Sequence, residues 1–477
     1  MKILFAASEA APYIKTGGLG DVAQALPQEL VKNKEVEVCV FLPYYKKIKD
    51  NPDFKVEFVK SFTTNLSWRN TYVGVFKAVS RSKKLSYYFI DNEYYFYRDS
   101  LYGDYDDGER FAYFSMAVLE TLHEIEYYPD IIHCNDWQTA LIPTLKKAKF
   151  GGQPEYDRIR TVFTIHNIEY QGKTPKEFLT NVLGLNDSWK SLLTHGDCLN
   201  FMKSALETAD KITTVSKTYS YEIRHAYFAH DLEDILNENA YKIEGIVNGI
   251  NTTVYNPRTD PDIEQNFSEK NLTGKAADKA YIQEKLGLPV RADVPVIAMI
   301  SRLVSHKGLE LVDFVMSEIM NRDIQFIVLG RGDTKYEDMF KFNSYCNRDK
   351  LSANITFDPV LANQIYAGAD MLLMPSKSEP CGLAQLIAMR YGTVPIVRET
   401  GGLWDTVQPL NIETLEGKGF TFKVYNAHDM LGAMDRCISF FYDKQKWSKH
   451  VKNLIKYNSS WKQPVTEYLR IYNELMG

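Results

Sequence analysis

Short apolar runs, each ended by polar residues and followed by a stretch of helical spacing, recur along both halves of the chain. In the first half they occupy residues 3–7, 36–41, 87–90, 130–132, 161–165, 212–215 and 243–247. The pattern restarts at residues 296–300 and continues through 325–329 and 371–374 to 394–397. Strands that alternate with helices predict parallel sheets covered by helices, an α/β class with doubly wound domains. Polar residues gather just past these runs: Glu9, Asp91, His133 with Asp136, His166 with Asn167, Ser216 and Asn248. In an open parallel sheet the carboxyl ends of the strands line the ligand crevice, so this clustering marks a site.

Helical patterns follow several runs. One covers residues 22–30 and another residues 384–391, while Leu309, Val312, Met316 and Ile319 recur at 3, 4, 3 spacing and predict one apolar face against a sheet. The last segment, residues 461–476, is amphipathic, with Val465, Tyr468, Leu469 and Tyr472 on one side. Residues 251–293 are rich in Asn, Asp, Pro and Lys and carry little apolar periodicity before 281–286, which puts a hinge near residues 247–251. A chain of 477 residues exceeds what one core supports. At roughly 150 residues per domain, two large domains are the better count. The expected division is residues 1–247, residues 248–455 and a final helical segment, residues 456–477.

The charge balance is near neutral, with 56 basic and 61 acidic residues and a net charge of −5. That leaves no global basic field for nucleic acid or an anionic membrane and suits an enzyme with a small or neutral polymeric substrate. Six cysteines, at positions 39, 134, 198, 346, 381 and 437, show no C-x-x-C spacing. Neither a disulfide framework nor a zinc site is indicated, and reduced, cytoplasmic thiols are the default. The N-terminal apolar run ends at Ser8 and Glu9, too early for a secretory core, and no stretch approaches the roughly 18 apolar residues of a membrane span. Most of the 31 tyrosines are expected in the cores, although aromatic rings can also stack on sugar faces.

Four polar loops carry the candidate chemistry. Residues 15–21 read K-T-G-G-L-G-D between a strand and a helix. Gly17, Gly18 and Gly20 let backbone amides approach an anion, the helix N-terminus adds positive dipole, and Lys15 adds a full charge. The spacing fits neither the dinucleotide nor the P-loop fingerprint. Residues 301–308 read S-R-L-V-S-H-K-G, so Arg302 and Lys307 share one strand-to-helix loop suited to clamping a diphosphate. Residues 376–383 read S-K-S-E-P-C-G-L, and residues 398–403 read R-E-T-G-G-L.

With H-N-I-E-Y-Q-G at residues 166–172, the K-T-G-G-L-G-D, S-R-L-V-S-H-K-G and E-P-C-G-L motifs resemble the bacterial glycogen synthase and plant starch synthase family, and the resemblance runs from Met1 to the segment around Trp461. It implies the GT-B architecture: two Rossmann-like domains facing across a deep crevice, the first on the acceptor side, the second binding the nucleotide sugar, and the last segment crossing back to the first. It also implies retaining transfer of glucose from ADP-glucose to the non-reducing end of an α-1,4-glucan, glycogen or a maltooligosaccharide. No metal or other cofactor is expected, because lysine and arginine take the role a divalent cation has elsewhere.

The resemblance assigns roles residue by residue. Arg302 and Lys307 match the cations that neutralise the departing diphosphate, and His166 matches the residue that holds the donor glucose near its reactive carbon. Asp136, in H-C-N-D-W-Q, matches a carboxylate near the two sugars, and Glu379 can accept from sugar hydroxyls. Lys15, Gly17, Gly18, Asp21, Asn248, Gly382 and Leu383 are donor-binding candidates. Glu9, Asn167, Tyr170, Gln171 and Cys381 are candidates for acceptor contact or positioning. Many other GT-B enzymes carry a second glutamate eight residues after the first, where this chain has Ile387, which favours the glucan synthases. Three positions depart from the family pattern: Asn251 where Asp is usual, Tyr255 where Trp is frequent and Gln138 where His is frequent.

Competing readings are a GT-B transferase using a UDP-sugar, a glycogen-binding scaffold that has lost transfer, and, last, a nicotinamide oxidoreductase. Lys15 belongs to the first expected domain, and Arg302, Lys307 and Glu379 to the second. One nucleotide sugar would meet all four only if the domains close about the hinge, which would also exclude water.

Overall fold

The apolar runs of the first half become strands of one sheet. In chain order the strands of this unit are β1 (Lys2–Ala6), β2 (Glu37–Pro43), β3 (Val56–Leu66), β4 (Arg69–Ala78), β5 (Leu85–Asp91), β6 (Ile131–Asn135) and β7 (Arg160–Ile165). After them come β8 (Lys173–Pro175), β9 (Thr194–His195), β10 (Cys198–Asn200), β11 (Lys211–Thr214) and β12 (Ile243–Gly245). Nine of them form a sheet in the order β12-β11-β7-β6-β1-β2-β5-β4-β3, and β8, β10 and β9 form a small antiparallel sheet of their own. The computed structural model describes residues 1–79 and 83–477. Residues 461–477 cluster with residues 1–248, and residues 249–460 form the second unit. The divisions thus fall at Asn248/Gly249 and Ser460/Trp461, so residues 456–460 stay with the second unit.

Seven of the nine sheet strands run parallel, and their central residues, such as Ile3, Leu4, Phe5, Val38, Val40, Ile132 and Phe163, have no exposed surface. Burial on both faces explains why these segments read as unbroken apolar runs. Two strands depart from the expected parallel sheet: β3 and β4 pair antiparallel with each other, and β4 pairs antiparallel with β5. Residues 57–61 of β3 all lie exposed at the sheet edge, so no buried face imposes a legible period on them.

The second unit holds β13 (Val296–Ile300), β14 (Gln325–Leu329), β15 (Leu351–Asn354), β16 (Met371–Met374), β17 (Val394–Arg398) and β18 (Phe420–Phe422), all parallel, in the order β15-β14-β13-β16-β17-β18. This is the 3-2-1-4-5-6 order of a dinucleotide-binding sheet, with its reversal between β13 and β16. The first unit reverses between β1 and β6.

Several helices differ from the sequence pattern. The first spans Gly18–Leu30, four residues earlier than its apolar period suggests. The single face expected from Leu309 to Ile319 is split into Leu309–Phe314 and Met316–Met320. Helix Thr273–Lys285 begins well before the periodicity at residues 281–286, because the inner face of its first turns is polar. Lys275 Nζ sits within 2.9–3.0 Å of the carbonyls of Ala367, Ala369 and Tyr391 and of Thr393 Oγ1, and Lys279 Nζ pairs with Asp370 at 2.7 Å. The last helix, Lys462–Met476, packs on the first unit through Tyr468 and Tyr472, both fully buried. Tyr472 Oη meets His133 Nδ1 at 2.7 Å, and the other ring nitrogen continues to Thr164 Oγ1 at 2.6 Å. Among the described residues no helix is long and apolar enough to cross a membrane.

Candidate active site

In the second unit the loops leaving β13, β16 and β17 converge beside the strand-order reversal. Arg302 is exposed at the start of the first loop, and a 3₁₀ turn, Ser305–Lys307, presents Lys307. Gly308 ends that turn at φ 74°, where a Cβ would stand 2.1 Å from the Pro375 carbonyl oxygen, so only glycine fits. Lys377 N–H donates to the His306 carbonyl (2.9 Å), which ties this loop to the one after β16. Gly402 N–H donates to the Glu379 carbonyl (3.0 Å), which ties that loop in turn to R-E-T-G-G-L. Cys381 and Gln385 hold the turn from behind, since Gln385 Nε2 donates to the carbonyls of Cys381 and Gly382 at 2.9 Å. Leu383 is the residue that precedes helix Ala384–Arg390.

The convergence brings Lys307 and Glu379 together. Lys307 Nζ lies 2.9 and 2.7 Å from the two Glu379 carboxylate oxygens, and Ser376 Oγ donates to one of them at 2.9 Å. Burial works to raise the Glu379 pKa, but the Lys307 charge and these hydrogen bonds outweigh it and hold the carboxyl below its usual range. An ammonium has three donors, and two are spent on the carboxylate. The third remains for a further acceptor.

In the first unit the loops leaving β1, β6 and β7 supply the second cluster. Asp136 follows β6 with φ 57° and ψ −179°, a conformation that is costly for a residue with a side chain. It is held there because one carboxylate oxygen accepts from the backbone N–H of His166 (2.7 Å) and of Asn167 (3.2 Å). Burial still dominates and pushes the Asp136 carboxyl up to about 7. His166 Nε2 lies 2.9 Å from Asn135 Oδ1, and the Asn135 amide nitrogen donates to the Ala6 carbonyl, also at 2.9 Å. That orients the amide so that His166 carries its proton on Nε2 and turns Nδ1 into an acceptor. Burial pushes the imidazole down to about 3, so it is neutral at physiological pH.

The Gly-rich segment differs from the loop expected of it. Gly18 and Gly20 lie in the first helical turn, and Gly17 is its N-cap. A Cβ on Gly20 would stand 2.9 Å from Lys15 Cγ, so Gly20 is the seat across which the lysine stem lies. Lys15 Nζ pairs with Asp21 at 2.7 Å. Glu9 is buried and receives the Thr16 amide and hydroxyl, at 2.5 and 2.8 Å, so it positions this segment. Asn248 is buried at the end of the first unit.

The remaining candidates separate by exposure. Gln171 is buried, with its nitrogen donating to the His230 carbonyl (2.9 Å) and its oxygen accepting from Asn200 (2.6 Å), so its amide positions the loop. Asn167 Oδ1 accepts from the Glu169 amide, and Tyr170 projects outward. Tyr170 lines a cavity of about 630 Å³ with Trp137, Phe178, Lys173, Asp106 and Glu109. Sequence reasoning missed Asn135, Ser376 and the cavity's acidic wall. Asp106 and Glu109 lie at the start of helix Asp107–Glu124, where acidic residues are unremarkable, so no local signal distinguishes them. Among the described residues no group of three or more His, Cys, Asp or Glu side chains is arranged to hold a metal ion.

Comparison with known proteins matches this fold. Residues 2–238 match the family model described as starch synthase catalytic domain, and residues 283–458 that of glycosyl transferases group 1. The catalytic domain of starch synthase IV from Arabidopsis thaliana, solved bound to ADP and acarbose, superposes with a TM-score of 0.91 at 32% identity, covering 100% of this chain and 99% of that one. Sucrose-phosphate synthase from Thermosynechococcus elongatus shares the fold, with a TM-score of 0.63 at 17% identity over 99% of this chain and 98% of its own. Two Rossmann-like units with charged loops at their strand-order reversals define a glycosyltransferase of the GT-B class. The glycogen synthases of Clostridium novyi (strain NT) and Bacillus cereus (strain B4264) are 47% and 46% identical to it, over 100% of this chain and 99% and 100% of theirs. The chain belongs to the glycogen and starch synthase family.

Proposed function

We propose that this enzyme lengthens an α-1,4-glucan by moving glucose from ADP-glucose to the non-reducing end with retention of configuration. The observation that carries the reading is the Lys307–Glu379 pair beside exposed Arg302 at the strand-order reversal of the second unit. Arg302 and the third Lys307 donor take the diphosphate, whose charge grows as the glycosidic bond breaks. Glu379, kept ionised, accepts from sugar hydroxyls. His166 accepts a sugar hydroxyl at Nδ1, and Asp136 lies close by on the sugar's path. Retention requires attack from the face the diphosphate leaves, so a departing phosphate oxygen can take the acceptor's proton.

The relatives named glycogen synthase support the polymer, and the ADP in the starch synthase IV structure supports the nucleotide. Cations on the protein make a metal or other cofactor unnecessary in this scheme, and six free thiols suit a cytoplasmic setting. The Asn251 departure is tolerable on this reading, because its side-chain oxygen accepts from the Thr253 and Val254 amides, a turn that an amide closes as well as a carboxylate. The test is incorporation of labelled glucose into glycogen from ADP-glucose and UDP-glucose in parallel. Consumption of UDP-glucose alone, or binding of glycogen with no transfer from either donor, would overturn the assignment.

A further inference from the structure

His133 and Asn135 lie two residues apart on β6, so their side chains share one face of the sheet, and each reaches across to the segment that contains β7. Asn135 Oδ1 meets His166 Nε2 at 2.9 Å, and His133 Nε2 meets Thr164 Oγ1, two residues before His166, at 2.6 Å. Thr164 Oγ1 lies 2.6 Å from Thr213 Oγ1 on β11, and the Thr164 carbonyl accepts from the Asp136 amide at 3.0 Å. At the other end, His133 Nδ1 meets Tyr472 Oη of the last helix at 2.7 Å. One buried polar chain therefore runs from that helix across three strands, a layer of side chains below the contact that orients His166.

The chain has a direction. Burial, with the neighbouring His166 adding to it, pushes the His133 imidazole down to about 3, so the ring is neutral, with one nitrogen to donate and one to accept. Tyr472 Oη has no other hydrogen-bond partner among the described residues, so its proton goes to His133 Nδ1. His133 Nε2–H then donates to Thr164, and the Thr164 hydroxyl is left to donate to Thr213. We infer that Tyr472, His133 and Thr164 are positioning residues for the transfer reaction, and that through them the last helix fixes where His166 stands. A slip of β6 against β7 that would carry His166 off Asn135 must also part His133 from Thr164, because both contacts cross the same strand pair. The inference rests on the role given to His166 in the preceding section.

The test uses the full chain with Tyr472→Phe and Thr164→Val, which each remove one hydroxyl and keep the shape, with both together, and with Thr164→Ser, which restores a hydroxyl. Each single loss is expected to lower kcat roughly tenfold, since misplacement of a contact to the reacting sugar is felt in turnover. The KM for ADP-glucose, which Arg302 and Lys307 set, should stay within about twofold of the parent. Thr164→Ser should recover most of the loss, and the double variant should fall no further than about the worse single one, because one chain is broken twice. Ile471→Ala, which loosens the apolar packing of the same helix without touching the chain, should keep kcat within about twofold of the parent. The 15N signals of His166 in histidine-labelled enzyme need no substrate, and they should move in Tyr472→Phe and Thr164→Val and return in Thr164→Ser. Unmoved His166 signals, multiplying losses in the double variant, or an equal loss of kcat in Ile471→Ala would overturn the inference. Should the protein transfer no glucose from either donor, the 15N signals still decide whether Tyr472 orients His166, so the two failures are distinct.

Discussion

Replacing Lys307 with methionine removes one charge and keeps the apolar stem. The ammonium sits 2.9 and 2.7 Å from the two oxygens of Glu379, and the two side chains are only 17% and 7% exposed. The first consequence falls on Glu379. Without Lys307, burial is opposed mainly by Ser376, and the carboxyl moves up from its depressed position. Breaking a buried pair from one side costs about 3–5 kcal/mol, and the residual access of water to Lys307 puts this case near 3 kcal/mol. The second consequence falls on turnover. Loss of a positioned donor at developing charge lowers kcat by about 10²–10³, or about 2.7–4 kcal/mol. The assay pairs urea unfolding with steady-state rates on ADP-glucose and glycogen. In the parent, a depressed native pKa means that this carboxyl's stabilisation is present above about pH 4.3 and is lost as pH falls through the lower native value. Lys307→Met should lose that slope. Adding Glu379→Gln removes the orphaned charge, so stability should return while turnover does not. A Lys307→Met enzyme with unchanged kcat and only a raised KM for the donor would refute the reasoning.

Three further outcomes are expected. Asp136 titrates near 7 in the folded chain against 3.8 for the ordinary group, so the native state keeps a proton that the unfolded chain releases, and stability should fall as pH rises between those values. Asp136→Asn should flatten that slope in pH-resolved unfolding and cut turnover, and a slope unchanged from the parent would assign it to another group. Gly308→Ala meets both a positive φ and the Pro375 carbonyl, so it should shift the Arg302–Lys307 loop and lower kcat by at least tenfold, as initial rates would show; full activity would mean the loop is not position-critical. Transfer should persist in EDTA, and a large loss reversed by magnesium would show that the cations on the protein do not suffice.

The strands that build the two sheets were legible because burial on both faces leaves a mark in the sequence itself. β1, β13 and β16 are mostly apolar runs bounded by polar loops, and β6 and β7 carry the apolar pairs Ile131–Ile132 and Val162–Phe163 at their cores. The motifs likewise singled out Lys15, His166, Arg302, Lys307 and Glu379 as candidates, and the fold sets Lys307 against Glu379 and the His166 amide against Asp136. Elements that bury no apolar run or stripe escaped that reading. The β3–β4 hairpin is mostly exposed along its edge strand, and helix Thr273–Lys285 buries Lys275, whose carbonyl partners Ala367 and Tyr391 lie 92 and 116 residues away.

What the sequence by itself determined is therefore local: strand positions, the division near residue 248, the loops that carry charge and, through them, the family. Only the tertiary structure decided how the charges are used. Lys307 and Glu379 are 72 residues apart in the chain, and the hydrogen bonds between their loops make them a pair. The same holds for Asp136, whose strained backbone is held by amides 30 and 31 residues downstream, and for Lys15, which lies across Gly20 onto Asp21. Protonation state, tautomer and ion pairing depend on distances of a few ångströms and on exclusion of water, and both exist only once the chain has folded.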